Sequence, residues 1–386
     1  MGNGWRVVEG SARDDARGVR GGRSGRPGGA SRVPAFRAAR RSPQGERVVP
    51  RASREPSGRV IAVTGTREFL GAGLVARCEG DPTYRAVLAL DAPAGSSLSA
   101  KVAAHEIDLA RPGADARIAD VLRTAAADVV IHAAFHPAPT HQVEQMHELE
   151  SIGTMNVLSA CESSSVRQFV LWSQTFLYGA RPDNPALLPE TWPLRAPAES
   201  PFVRDKLEAE RQVAEFARRF PAVKVAVLRS APIVGPHAVG LIPALLRHRF
   251  VPVAAGFDPL MQVVHEYDVL DAFKRVLDGG HAGVFNIVGG GVLPVTTALL
   301  VAGRVPVPVP PGMLRRLLGM LWAVRASEAS APFVDYLMYP CVADGSRAAR
   351  ELAFRPTYSS QEAIGDHIAR AASPRRPSEA PGPEKE

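Results

Sequence analysis

The run Val60-Ile61-Ala62-Val63-Thr64-Gly65-Thr66-Arg67-Glu68-Phe69-Leu70-Gly71 constrains this chain more than any other stretch. An apolar, β-branched segment stops at one glycine, and a second glycine follows six residues later. Leu74, Val75 and Cys78 then recur at helical spacing. Such a pattern specifies a buried strand, a tight turn and a helix start. In that geometry free backbone N–H groups face a dinucleotide pyrophosphate. The middle glycine of the Gly-x-x-Gly-x-x-Gly spacing is replaced by Glu68, which puts bulk and negative charge where a residue without Cβ would serve. Pairing with Arg67 would turn that glutamate outward.

Strand and helix patterns alternate after this point. Strands are predicted at 59–64, 86–91, 105–108, 128–134, 168–173 and 223–228, and helices at 70–79, 114–125, 141–163 and 201–219. Strands separated by helices of this length predict an α/β, Rossmann-type doubly wound parallel sheet. After residue 230 the order loosens among many Pro and Gly, which suits a smaller C-terminal substrate lobe. The expected organisation is a disordered Arg/Gly-rich tail over 1–57, a nucleotide-binding domain over 58–235, a substrate lobe with some return to the sheet over 236–372, and a second tail over 373–386.

Charge supports that division. Residues 1–58 carry thirteen Arg against five acids, a net +8, so the remainder of a chain whose total is +7 is close to neutral. The folded part therefore offers no broad field for nucleic acid. The tract Arg17-Gly18-Val19-Arg20-Gly21-Gly22-Arg23 resembles RNA-binding arginine-glycine sequences, but composition is its only signal, and a charged, unstructured extension is the expectation. No apolar run reaches the ~18–20 residues of a membrane span, and Cys78, Cys161 and Cys341 lie far apart, as in a cytoplasmic protein without disulfides.

In order and spacing these motifs resemble an extended short-chain dehydrogenase/reductase of the NAD-dependent epimerase/dehydratase family, over about residues 59–365. Its landmarks are Thr64-Gly65-x-x-x-Phe69-Leu70-Gly71, Asp91, Asp108-Leu109, His132-Ala133-Ala134, Tyr178-Gly179, Val264-His265-x-x-Asp268-Val269 and Phe285-Asn286-Ile287. The chain is especially similar to UDP-glucose 4-epimerase-like proteins of GC-rich bacteria, which share Arg304-Val305-Pro306-Val307-Pro308-Val309-Pro310 and also lack the usual catalytic tyrosine.

The resemblance implies an NAD site built from Thr64, Gly65, Arg67, Phe69, Leu70, Gly71, Asp91, Asp108, Leu109, Ala133, Ala134 and Lys206. Asp91 at a strand end can accept ribose hydroxyls and repel a 2′-phosphate, which favours NAD over NADP. It implies too a Tyr-x-x-x-Lys pair with a nearby hydroxyl, acting on a nucleotide sugar or related polyol. Here the run is Phe202-Val203-Arg204-Asp205-Lys206, so the acid–base hydroxyl is missing while the lysine stays. Gln174 stands at the usual hydroxyl position between Ser173 and Thr175, and Glu150 replaces the usual asparagine. Lys206, Ser173 and Thr175 remain the catalytic candidates, and Phe202→Tyr is expected to fit with little strain.

Two readings follow. One is an oxidoreductase or epimerase with a degenerate site; the other is a non-catalytic dinucleotide-binding scaffold or redox sensor. His132, His136, His141 and His147 crowd one region at spacings that match no common zinc pattern, so no metal is expected. The segment Met313–Trp322 reads as an amphipathic helix covering the substrate cleft or another molecule. Met146, Leu149, Ile152, Val157 and Leu158 suggest apolar surface for a homodimer through the helices at 141–163 and 201–219.

Overall fold

The computed structural model describes residues 58–92, 99–327 and 329–371, so both expected tails and the arginine-glycine tract lie outside the described residues. Six strands follow the early alternation: β1 Arg59–Thr64, β2 Tyr84–Ala89, β3 Val102–Ala104, β4 Val129–His132, β5 Gln168–Gln174 and β6 Lys224–Ser230. A further strand, Gly283–Ile287, pairs with β6. The order across the seven-stranded sheet is Gly283–Ile287, β6, β5, β4, β1, β2, β3, and every pairing is parallel. β1, β4 and β5 are almost wholly buried, because helices cover both faces of a parallel sheet.

The helices are α1 Phe69–Gly80, α2 Ala114–Thr124, α3 Val143–His147, α4 Gly153–Glu162 and α5 Pro201–Arg219. The helix Glu266–Gly279 packs beside α1 and leads into the edge strand, so the chain past residue 230 does return to the sheet.

Several strand ends shift by a few residues, and two differences from the sequence reading have physical reasons. The third strand lies at Val102–Ala104, before the expected 105–108. Beyond it His105 and Ile107 still donate to the Ala89 and Leu90 carbonyls, but in an irregular path. Ile107 and Leu109 are buried there as loop residues, and their burial imitates a strand in the sequence. The long helix at 141–163 is not uniform: a π turn, Glu148–Ile152, joins α3 to α4. One extra residue per turn shifts the helical register at Glu150, and such turns concentrate at functional positions.

The remaining residues form the smaller lobe. A parallel strand pair, Phe250–Ala254 with Val305–Val309, is covered by the helix Pro311–Ala323, and the helices Val295–Val301 and Ser360–Ala371 pack beside one another. Val251, Val253, Val263, Leu299 and Ile364 form a second buried cluster in this lobe. Met146, Val157 and Leu158, expected as surplus apolar surface for a dimer, are buried within the single chain.

Candidate functional site

The sheet order reverses between β1 and β4, so their carboxyl ends diverge into a crevice. Gly65 ends β1 with φ +77°, and a Cβ there would lie 2.3 Å from the Ala133 carbonyl oxygen. A Cβ on Gly71 would lie 2.1 Å from the Gly65 carbonyl oxygen. The turn and the first turn of α1 are thus pressed onto the end of β4 at a distance only glycine permits. Ala133 and Ala134 are buried on the other side of that contact.

Glu68 adopts φ −96° and ψ 156°, ordinary extended backbone, so its place in the loop needs no left-handed conformation. Arg67 does not pair with it. The Arg67 Nε donates to the Asp91 backbone carbonyl at 2.9 Å, and Glu68 forms no ion pair among the described residues. Glu68, Phe69 and Leu70 line the cleft.

Asp91 locks the loop. Its Oδ2 accepts from the Gly65 N–H at 2.8 Å, and its Oδ1 accepts from the Thr66 N–H at 2.9 Å and the Thr66 hydroxyl at 2.7 Å. A carboxylate has about four acceptor directions, which leaves one for an incoming hydroxyl. Two glycines that no Cβ could replace, the free N–H groups at the start of α1 and a carboxylate at the end of β2 fit a dinucleotide.

Three further candidates have partners within the chain. Asp108 is exposed and pairs with Arg111 at 3.3 Å, while Leu109 is buried and its carbonyl accepts from the Asn156 amide. The Thr64 hydroxyl turns into the core, 2.7 Å from His132 Nδ1.

His132 is wholly buried between Thr64 and Thr154, whose Oγ1 lies 2.9 Å from His132 Nε2. The Thr154 hydroxyl donates to the Glu150 carbonyl, so it accepts from the ring. That places the imidazole proton on Nε2 and makes Nδ1 the acceptor from Thr64. Burial pushes the His132 pKa down to about 3, so the ring is neutral.

The acid–base half is rebuilt. Lys206 Nζ donates to Glu150 Oε1 at 2.8 Å and to the His136 carbonyl at 3.0 Å. Glu150 is fully buried, and the same Oε1 accepts from the His136 N–H at 2.7 Å. Desolvation lowers the Lys206 pKa, and the Glu150 carboxylate opposes that shift. The ammonium also sits 4.3 Å from the Phe202 ring centroid and 5.2 Å from that of Phe135.

Phe202 is buried among Met146, Leu177, Ala196, Val203 and Phe333, and stacks on Phe176 at 5.4 Å. A tyrosine hydroxyl here would enter an apolar aromatic cluster, so the expected easy fit of Phe202→Tyr is corrected. Ser173 is likewise unavailable to a substrate: its hydroxyl donates to Glu210, which also binds Arg229 in a buried pair at 2.6 Å. Arg229 in turn donates to the Tyr178 hydroxyl at 3.0 Å, and that hydroxyl donates to Asn286. Tyr178 is therefore a packed structural group. Thr175 alone of the three catalytic candidates lines the main cleft.

The cleft has a volume of about 810 Å³ and runs from the glycine loop to the smaller lobe. Phe135, Trp172, Gln174 and Thr175 form its floor, and Gln174 Oε1 is buried there without a partner. Much of the remaining wall comes from segments after residue 230, among them Leu245, Leu299, Leu318 and Phe333. Leu318 lies in the segment whose pattern predicts a helix over the substrate cleft or another molecule, and it lines this cleft; Leu245, Leu299 and Phe333 were not identified from sequence, because they converge from separate segments with no shared spacing. The four clustered histidines also separate: His136 and His147 approach Glu150 and Asp205, His132 is in the core, and the His141 ring lies tilted against Trp322 with centroids 3.9 Å apart.

A dinucleotide cradle on a parallel doubly wound sheet defines the class, and sequence comparison gives the family. Residues 61–288 match the NAD dependent epimerase/dehydratase family, and the chain belongs to it. Uncharacterized proteins of Mycobacterium tuberculosis and Mycobacterium bovis are 33% identical over 317 residues, covering 80% of this chain and 83% of theirs. Among solved structures, a dTDP-glucose 4,6-dehydratase from Streptomyces venezuelae with NAD bound superposes with a TM-score of 0.63 at 19% identity, covering 81% of this chain and 96% of its own. A UDP-glucose 4-epimerase from Thermotoga maritima with UDP-glucose superposes at 0.61 and 20% identity, covering 81% and 98%. Among the described residues no helix is long and apolar enough to cross a membrane.

Proposed function

We propose that the chain binds NAD at the glycine loop and holds a nucleotide sugar or related polyol in the adjoining cleft, with slow oxidoreductase or epimerase turnover. The carrying observation is the Gly65–Asp91–Gly71 cradle. Asp91 at the end of β2 favours NAD over NADP, because a 2′-phosphate would meet a carboxylate. Similar structures solved with NAD support this choice.

When bound, NAD supplies the hydride acceptor and donor. The chain's own part is to hold the dinucleotide on backbone N–H groups, orient it against Phe135 and Thr175, and exclude water from an apolar cleft. Proton exchange at the substrate is the weak step. Phe202 offers no hydroxyl, and Lys206 is held by Glu150. Loss of general acid–base help costs ~10²–10⁴ in rate. That same ion pair favours a second reading, a dinucleotide-loaded scaffold or redox sensor. In either reading a homodimer through α3–α5 is part of the proposal, and light scattering checks it.

The test has three measurements on the full chain: mass spectrometry for retained nucleotide, titration with NADH and NADPH, and turnover on UDP- and dTDP-sugars. NADH binding that Gly71→Val abolishes, with turnover slow but measurable, is expected. Tighter NADPH binding would overturn the cofactor choice. NAD binding with no turnover would select the scaffold.

A further inference from the structure

The wall of the cleft farthest from the glycine loop is apolar, and its mouth is basic. The helix Pro311–Ala323 turns Leu314, Leu318 and Leu321 towards the cleft. Its outer side is apolar as well: Met313 is 57% exposed and Met320 62%, with Val324 just beyond at 72%. A helix apolar on both sides is ordinarily covered on both. Beside it Phe250 is 60% exposed, pairs in register with exposed Val305, and lines the cleft. Most of the exposed large hydrophobic side chains among the described residues fall within 239–324, the segments that build this lobe.

Two stretches within these segments carry charge of one sign. Residues 239–257 and 279–327 contain no Asp or Glu, yet they carry Arg247, Arg249, Arg304, Arg315, Arg316 and Arg325. Arg315 is paired with Asp335, and Arg247 also has an interaction partner. Arg249, Arg316 and Arg325 are exposed. Arg325 and exposed His248 also line the cleft, so they stand at its mouth.

Long aliphatic walls, exposed arginines at Arg249, Arg316 and Arg325 and exposed apolar side chains beside them are complementary to one kind of molecule. We propose that the site takes an anionic amphiphile, its hydrocarbon chain along Leu314, Leu318 and Leu321 and its anionic group at the arginine rim. This rests on the reading above and sharpens it: the polyol presented to the cofactor is carried on an apolar anchor, not on a nucleotide. A hydrocarbon chain gains from apolar walls at roughly 25 cal/mol per Å² removed from water, whereas a nucleobase and ribose would bury polar groups with few partners there. The ligand arrives either from a bilayer surface or as a free molecule.

The probes are dodecyl phosphate below its micellar concentration, UDP-glucose, and vesicles of phosphatidylglycerol or of phosphatidylcholine. Binding is followed with the full chain by tryptophan emission, since Trp172 lines the cleft, and by co-sedimentation. Saturable dodecyl phosphate binding is expected, weakened roughly tenfold or more by the triple change Arg249→Glu, Arg316→Glu, Arg325→Glu. Leu318→Gln should weaken it too, while both variants keep NADH affinity and melting temperature. Sedimentation with phosphatidylglycerol but not phosphatidylcholine vesicles would identify a bilayer source; dodecyl phosphate binding without sedimentation would identify a free ligand. Saturable UDP-glucose binding with no dodecyl phosphate binding, or rim reversal without effect, would overturn the proposal. NADH titration of the unmodified chain judges the cofactor reading separately, because it does not involve this wall.

Discussion

The glycine loop and the acid–base face lie on the same crevice but are built on different principles. The loop works through backbone: Gly65 and Gly71 are fixed by contacts no Cβ could survive, and Asp91 ties the Gly65 and Thr66 N–H groups together. The acid–base face works through side chains, and there the chemistry has been exchanged. Glu150 captures Lys206, Phe202 covers it, and Ser173 joins the Glu210–Arg229 pair. A backbone site is held in place by the fold itself, whereas a side-chain site can be refilled as packing without disturbing the sheet. The departures at Phe202 and Glu150 are thus not independent losses. They describe one buried ion pair with an aromatic lid.

The strongest challenge to this contrast is to break the ion pair. Glu150→Ala leaves the Lys206 ammonium buried with only the His136 carbonyl, and removing one partner of a buried pair typically costs about 3–5 kcal/mol. Urea unfolding should show that loss, while the double change Glu150→Leu with Lys206→Met should cost much less than the sum of its parts. Additive losses would mean that the pair is not a unit, and that Lys206 still answers to the cofactor side.

The fold was largely legible in the sequence because its strands are short buried apolar runs between amphipathic helices. β1 and α5 fall at 59–64 and 201–219 in both the sequence reading and the structure. The glycine loop was legible for the same reason, since its constraint is local. The acid–base face was only half legible. That Phe202 lacks a hydroxyl is visible from its spacing to Lys206, but no periodicity announces that Glu150, inside the π turn, reaches Lys206. The apolar cleft was legible only in the amphipathic segment at 313–322, because Leu245, Leu299 and Phe333 join it only through tertiary packing.

Restoring the family hydroxyl probes the same face more gently. Phe202→Tyr places an O–H in the cluster of Met146, Leu177 and Phe333, and an unsatisfied buried hydroxyl costs about 1–3 kcal/mol. The variant should unfold at lower urea and gain little turnover alone. Adding Glu150→Asn, which frees Lys206, should raise turnover further than either change. Full recovery by Phe202→Tyr alone would show that the aromatic cluster opens easily and that Lys206 is not held.

The smallest effect, and the one that connects the two halves, is a pH slope. His132 bridges them, with Thr64 of β1 on one nitrogen and Thr154, bonded to the Glu150 carbonyl, on the other. In the unfolded chain a histidine takes up its proton near pH 6.5, whereas burial holds His132 neutral down to about 3. Between those values the unfolded state binds the proton and the folded state does not. Acidification through that window therefore favours unfolding, and the stability contributed by the neutral ring is complete only above about pH 6.5. The slope should reach at most about 1.4 kcal/mol per pH unit. Denaturant unfolding of the unmodified chain and of His132→Phe, each measured from pH 7 downwards, isolates it, since the other histidines cancel in the difference. A flatter line for the variant is expected. Parallel lines would mean that His132 takes its proton in the folded state. The Thr64–His132–Thr154 chain would then be looser than its distances indicate, and the rigid backbone half would be less separate from the rebuilt half than the structure makes it.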